Sequence, residues 1–436
     1  MTRPDPRGPG GAIAKWKRAA AGILNVLARP VRGRQAEDGL VLRTNRGYGS
    51  RAEVFLIGRV FRQSRRDVPA RAESLADQLR DVRRRIMRRA VPGIAVLAEF
   101  HGARERVTTD EDGYFRVHLR PRDVPPSDAL WHRMDLRLED HPAVGAQGLI
   151  FIPPDRCRYV VISDIDDTIM ETGVANKLKM LWRLFVEDAE SRVPFPGVAA
   201  LYRALHAGAS GDQANPMLYV SRAPWGIYDV LDEFFARHGI PVGPVLFLRE
   251  WGVSWRSPLP RKAEEHKRDL INNMLALYRD LPTVLIGDSG QHDPEIYRRV
   301  VDEHPGRVLA VYIRNVSREA SRVGEIEELA KAVVAAGSSL VLAADSAAIA
   351  DHAAKLGLIS AEAVPEVAAD ATRDVEKGAG EGVGGPAEPV AEADLHDVLV
   401  GRDGAQPPNV VVEPSPDRPP GAPGPAPTGT KLGLGH

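Results

Sequence analysis

Apolar and polar positions change their spacing along the chain, and the changes divide it. From residue 38 to 154, short apolar or alternating runs stand between turn residues: Glu53 to Phe61, Ile94 to Phe100, Tyr114 to Leu119, Arg133 to Glu139 and Gly148 to Ile152. Asp110-Glu111-Asp112-Gly113 is a turn leading into one of them. Strand-length runs bounded by such turns predict antiparallel pairing, and their spacing predicts a small β-sandwich. From 155 to 359, wholly apolar runs alternate with helical periodicity. The apolar runs are Tyr159 to Ile162, Leu218 to Val220, Val245 to Leu248, Thr283 to Ile286 and Val308 to Ile313. The helical stretches include Lys177 to Glu190, Tyr202 to Ala207, Ile227 to His238 and Lys262 to Tyr278. Strands apolar on both faces, alternating with helices, predict a doubly wound parallel α/β sheet that binds ligands beyond its strand ends.

The two ends read differently. In residues 1–37 the apolar run around Ile23 to Leu27 is interrupted, too short to span a bilayer, and followed by no cleavage pattern. Neither a signal peptide nor a transmembrane helix is expected there. Trp16, flanked by Lys15, Lys17 and Arg18, suits either a membrane interface or a helix packed on its own domain. After Leu358 the composition turns to Ala, Glu, Pro and Gly, and residues 360–436 are predicted to be a disordered tail.

Charge changes this picture only locally. The 436 residues carry a formal net charge of -1, so bulk electrostatics recommends neither nucleic acid nor membrane. The exception is the stretch Arg65 to Arg89, with Arg66, Arg71, Arg80, Arg83, Arg84, Arg85 and Arg88 opposed by Asp67, Glu73, Asp77 and Asp81. Leu75, Leu79, Val82 and Ile86 give it helical periodicity. A peripheral contact with an anionic membrane and a merely solvated helix face both fit. Nucleic acid is not expected, because no aromatic residues or recognition motif accompany the arginines. The sole cysteine, Cys157, excludes an intrachain disulfide, suits a reducing cytoplasmic compartment and reads as a core residue.

Candidate chemistry begins where the first apolar run of the α/β part ends. Asp164, Asp166 and Asp167 fall within four residues of one another. Carboxylates this close repel, and either a divalent cation or a helix N-terminus would offset the cost. Further candidates lie at later strand ends: Ser221 after Leu218 to Val220, then Gly287-Asp288 after Thr283 to Ile286, with Asp293 following. Lys267 shares a helical face with Leu270, Ile271 and Met274, which turns it toward the domain; Lys262 is the alternative lysine.

In order, these are Asp-x-Asp-x-Thr, Ser, Lys and Gly-Asp-x-x-x-x-Asp. The set resembles the haloacid-dehalogenase-type phosphatase superfamily. With DIDDTI, ETGV, PFPGVAALYRAL, YVSRAPW and LIGDSGQHDPEIY, the stretch from Asp155 to Ile359 is similar to the actin-patch-protein type of magnesium-dependent phosphatidate phosphatase, a relative of the lipins. The resemblance implies hydrolysis of phosphatidate to diacylglycerol and phosphate through an aspartyl-phosphate on Asp164. It implies Asp166 as acid and base, Ser221 as donor to a phosphoryl oxygen, and Lys267 as the stabilising cation. It further implies Mg2+ on Asp164, Asp288 and the backbone carbonyl of Asp166, supported by Asp293. Another phosphomonoester as substrate, or phosphatidate binding without turnover, are the alternatives. The short interval between Thr168 and Ser221 leaves little room for a large cap, which suits a bulky or membrane-resident ester.

Overall fold

The structure, a computed structural model, describes residues 39–63, 89–164, 196–221, 228–247, 263–289, 292–315, 320–343, 345–380 and 410–412. The expected helix over 177–190, the segment 1–37 and all of the expected helix over 71–89 but its last residue lie outside these residues; Arg89 itself is in a strand rather than a helix.

Nine strands make the first sheet: β1 (Leu40–Thr44), β2 (Gly47–Gly49), β3 (Val54–Arg62), β4 (Arg89–Ala90), β5 (Ala95–Phe100), β6 (Ala103–Thr108), β7 (Tyr114–Leu119), β8 (Trp131–Leu138) and β9 (Gly145–Phe151). Their order is β1-β3-β2-β9-β8-β5-β6, with β4 and β7 also paired to β3. Pairing is antiparallel except between β2 and β9. Period-two patterning explains the burial. In β8, His132, Met134, Leu136 and Leu138 are buried while Arg133, Asp135 and Arg137 face water. Met134, Leu136 and Leu138 join Leu56, Val96, Phe115 and Ile150 in one core.

The second sheet contains β10 (Val160–Asp164), β11 (Met217–Ser221), β12 (Val245–Phe247), β13 (Thr283–Asp288), β14 (Val308–Arg314), β15 (Ser339–Ala343) and β16 (Val410–Val412), in the order β12-β11-β10-β13-β14-β15-β16. All pairings are parallel until the last, where β16 runs antiparallel to β15. The sheet is therefore mixed at that edge rather than wholly parallel. The helices are α1 (Val198–Ala207), α2 (Tyr228–His238), α3 (Ala263–Leu277), α4 (Asp293–Glu303), α5 (Ala320–Ala335), α6 (Ser346–Lys355) and α7 (Ala363–Gly380). Successive strand residues feed opposite faces. Val161, Tyr219, Val284 and Tyr312 pack with α1, α2, α6 and α7. Val160, Ile162, Leu218, Leu285 and Val311 pack with α3, α4 and α5. Strands covered on both faces have no solvated side, which is why they read as unbroken apolar runs.

The expectation of disorder over 360–436 is corrected in two places. Val364, Val367 and Ala371 recur at helical spacing within α7, and Val367 is completely buried in the core beneath α1 and α6. Three consecutive valines form β16 and cover the edge of β15. The surrounding Pro/Gly-rich composition hid both signals. The two parts of the molecule also touch. The Arg46 backbone N–H donates to the Tyr228 hydroxyl at 3.0 Å, and its guanidinium pairs with Asp232. No helix among the described residues is long and apolar enough to cross a membrane.

Candidate active site

Three neighbouring strands end side by side. Asp164 closes β10 and Asp288 closes β13, while Ser221 closes β11 one residue beyond Val220, the register partner of Asp164. The parallel registry of β10 with β13 pairs Ser163 with Ile286, which brings Asp164 and Asp288 to one edge. Ser221 is fully buried there.

Lys267 arrives from α3. Its position relative to Leu270, Ile271 and Met274 sets it on the inward helical face, and those three side chains are buried with it. Its Nζ donates to Asp164 Oδ2 at 2.6 Å and to Asp293 Oδ1 at 2.5 Å. Exposure of the lysine and both carboxylate side chains is 3% or less, so this is a buried ionic triad rather than a surface ion pair. Burial by itself lowers the lysine pKa, but the charges of Asp164 and Asp293 and their hydrogen bonds outweigh it and raise it overall. Lys267 is accordingly a cation at neutral pH. Its Nζ also lies 5.7 Å from the Tyr297 ring centroid, within cation–π range.

Asp293 opens α4, where a carboxylate is favoured by the helix dipole and followed by Pro294 in the first turn. One oxygen engages Lys267 and the other accepts the Asp288 backbone N–H at 3.3 Å. Gly287 permits this approach. A Cβ there would stand 2.2 Å from Asp293 Oδ2 and 2.8 Å from Tyr297 Cε2. The Tyr297 hydroxyl donates to the Ile286 carbonyl at 2.8 Å, tying α4 to β13.

Each of Asp164, Asp288 and Asp293 offers one ligand oxygen, all within 4.8 Å of one another. Three carboxylates and one ammonium leave two negative charges, and the donors are hard oxygens. That set fits a divalent cation such as magnesium or calcium better than a soft metal. Asp166, Asp167 and Thr168, and the alternative lysine Lys262, lie outside the described residues. Asp293 and Lys267 are thus adjacent, a pairing their separate places in the sequence did not announce; the inward helical register of Lys267 was the available signal. Gly287 was visible only as part of a motif. Cys157 is buried, donates from Sγ to the Ala214 carbonyl, and has its thiol pKa pushed up to about 12 by burial, as suits a core residue.

Comparison with known proteins bears on this segment. Residues 159–315 match the family model "Phosphatidate phosphatase APP1, catalytic domain". The phosphatidate phosphatase APP1 of Saccharomyces cerevisiae is 34% identical over 169 residues, which is 38% of this chain and 28% of that protein. An uncharacterized protein of Schizosaccharomyces pombe is 27% identical over 163 residues, 37% of this chain and 26% of that protein. The aligned part thus spans little more than a quarter of the length of either relative. Among solved structures, a carbohydrate acetylesterase from Xanthomonas citri aligns over 65% of this chain and 71% of its own at 12% identity and a TM-score of 0.22, too weak a likeness to bear on fold or function. The stretch that carries Asp164, Ser221, Lys267, Asp288 and Asp293 matches the catalytic domain of the APP1-type phosphatidate phosphatases.

Proposed function

We propose that the chain is a magnesium-dependent phosphatidate phosphatase built on a haloacid-dehalogenase-like core. The observation that carries the reading is the buried Lys267, bridging Asp164 and Asp293 beside Asp288 at one sheet edge, inside the matched segment.

In this reading a carboxylate oxygen of Asp164 attacks phosphorus, forming the aspartyl-phosphate as the bond to the glyceride oxygen breaks. Asp166 donates the proton that the departing diacylglycerol alkoxide takes up. It then accepts a proton from the water that attacks the phosphorus and releases Asp164. Lys267 compensates charge on Asp164 and the phosphoryl group, and Ser221 donates to a phosphoryl oxygen. Magnesium would be held by Asp164, Asp288 and the Asp166 backbone carbonyl, with Asp293 in support through Lys267 and the Asp288 amide. When bound it supplies charge neutralisation to the phosphoryl oxygens and holds them in line.

The basic stretch Arg65 to Arg89 is assigned a peripheral contact with anionic lipid on the cytoplasmic side, on the strength of its charge. Vesicle flotation of the parent against a variant neutralised at Arg83, Arg84 and Arg85 tests it. Equal flotation would make that stretch a merely solvated one.

The reaction is tested by phosphate release from phosphatidate in mixed micelles, with magnesium and with chelator, alongside soluble phosphomonoesters. Magnesium-dependent release from phosphatidate, abolished in Asp166→Asn, is expected. Faster release from a soluble ester would move the substrate class, and no release from any ester would leave a lipid-binding module.

A further inference from the structure

On the face of β10 opposite Lys267, two buried hydroxyls reach the backbone of Asp164. Ser163 is fully buried, with Oγ 3.0 Å from the Asp164 carbonyl oxygen and 2.6 Å from the Tyr202 hydroxyl. A serine hydroxyl carries one proton. With that proton given to the Asp164 carbonyl, the tyrosine must be the donor to Ser163 Oγ. The chain of bonds therefore runs from Tyr202 through Ser163 to Asp164.

Tyr202 is itself fixed. It sits in the middle of α1, its ring stacked on Tyr219 with centroids 6.2 Å apart. The start of α1 is anchored by α7, where Asp374 accepts the Gly197 N–H at 3.0 Å. Gly197 takes a left-handed φ of 76°, and a Cβ there would stand 2.8 Å from the Val367 carbonyl oxygen. Helix α7 thus packs directly on the base of α1. Burial pushes the Tyr202 pKa up to about 12, so the phenol keeps its proton and remains a donor at neutral pH. Neither Tyr202 nor Ser163 has a place in the reaction proposed above, and α7 lies outside the matched segment.

We propose that Tyr202 is a positioning residue: through Ser163 it fixes the peptide by which the chain leaves β10, and so holds the Asp164 carboxylate on Lys267 and in line with the phosphoryl group. The proposal deepens the phosphatase reading and rests on it. Misplacing a nucleophile by a fraction of an ångström lowers turnover more than binding. The expected signature is therefore a fall in kcat without a rise in KM.

Tyr202→Phe keeps the ring and removes the donor. Losing this one hydrogen bond is expected to lower kcat about tenfold, with KM for phosphatidate unchanged. Ser163→Ala is expected to lose at least as much, and adding Tyr202→Phe to it should cost nothing more, because the chain is already broken. Ser163→Thr, which restores a hydroxyl, should recover part of the rate. Tyr159→Phe is the control. Its buried hydroxyl lies 2.8 Å from the Leu205 and Leu358 carbonyls in the same core but does not lead to Asp164. It should lower the melting temperature and leave kcat alone. A folded Tyr202→Phe enzyme whose kcat stays within about twofold of the parent, or losses that add in the double variant, overturns the relay alone. Should Tyr202→Phe fail to fold, Ser163→Ala decides, and full kcat in that variant overturns the relay. A parent that releases no phosphate overturns the relay and the phosphatase reading together.

Discussion

Lys267→Met isolates the electrostatics of the site, because methionine keeps an unbranched stem and removes the charge. In the parent, three carboxylates face one ammonium. In the variant they face one another, with ligand oxygens within 4.8 Å. At that separation and an effective dielectric of about 20, each like-charged pair repels by about 3 kcal/mol. Breaking a buried ion pair from one side costs about 3–5 kcal/mol. Urea denaturation in the presence of chelator should therefore show the variant less stable by about 3–5 kcal/mol at an unchanged slope, the slope reporting exposed surface rather than charge. Adding Asp293→Asn should return part of the loss, since one of the stranded charges is removed. Adding magnesium should also return part of it by mass action on the folded form. The pH dependence has a definite sign. The folded pKa of Lys267 is raised above 10.5, so its contribution is complete below that value and is lost as pH rises through the folded one. The gap between parent and variant should then show no dependence on this lysine at neutral pH and close only in strong alkali. A Lys267→Met protein within about 1 kcal/mol of the parent in chelator would refute the buried triad.

Three other outcomes are expected. Gly287→Ala places a methyl against Asp293 and Tyr297 Cε2, and overpacking of this kind should cost at least about 1–3 kcal/mol in urea denaturation; a neutral effect would mean that α4 moves away freely. Asp288→Asn should weaken magnesium binding, read by calorimetry, by about ten- to a hundredfold while the fold stays intact; unchanged affinity would remove Asp288 from the metal centre. Truncation after Ile359 strips α7 and β16 from the core. Loss of the buried Val367 alone should cost about 1.5–3 kcal/mol in thermal or urea unfolding, and an unaltered transition would return this region to the status of a loose tail.

Much of the α/β part was legible because its strands are buried on both faces and its chemistry stands at strand ends. Tyr159 to Ile162 and Thr283 to Ile286 need no partner to be recognised. Once parallel order is assumed, Asp164 and Asp288 must share an edge. Lys267 could be aimed from its helical register with Leu270, Ile271 and Met274. What the sequence could not supply is the contact between elements. Asp293 reads as one more carboxylate in an acidic motif. Only with α4 docked does one of its oxygens meet Lys267 and the other the Asp288 amide. Gly287 is one of 40 glycines, and its necessity is a distance to Asp293, which no local pattern encodes.

The tail exposes a different limit. Composition averaged over a long stretch predicts disorder, and averaging removes periodicity. Within α7 the apolar positions are few, but they recur on one face, and the acidic and basic residues between them face outward or pair with α1, as Glu366 does with Arg203. A helix with so narrow an apolar stripe has little stability alone. It forms because α1 and α6 present a surface for Val364, Val367 and Ala371, and because the Gly197 amide needs an acceptor that Asp374 supplies. The same argument links stability to activity. If Tyr202 holds Asp164 from α1, and α7 holds α1, then Asp374→Ala should lower kcat through a residue that touches nothing in the site. Asp374→Ala with full kcat and a lowered melting temperature would confine α7 to a structural part and leave the relay to begin at Tyr202.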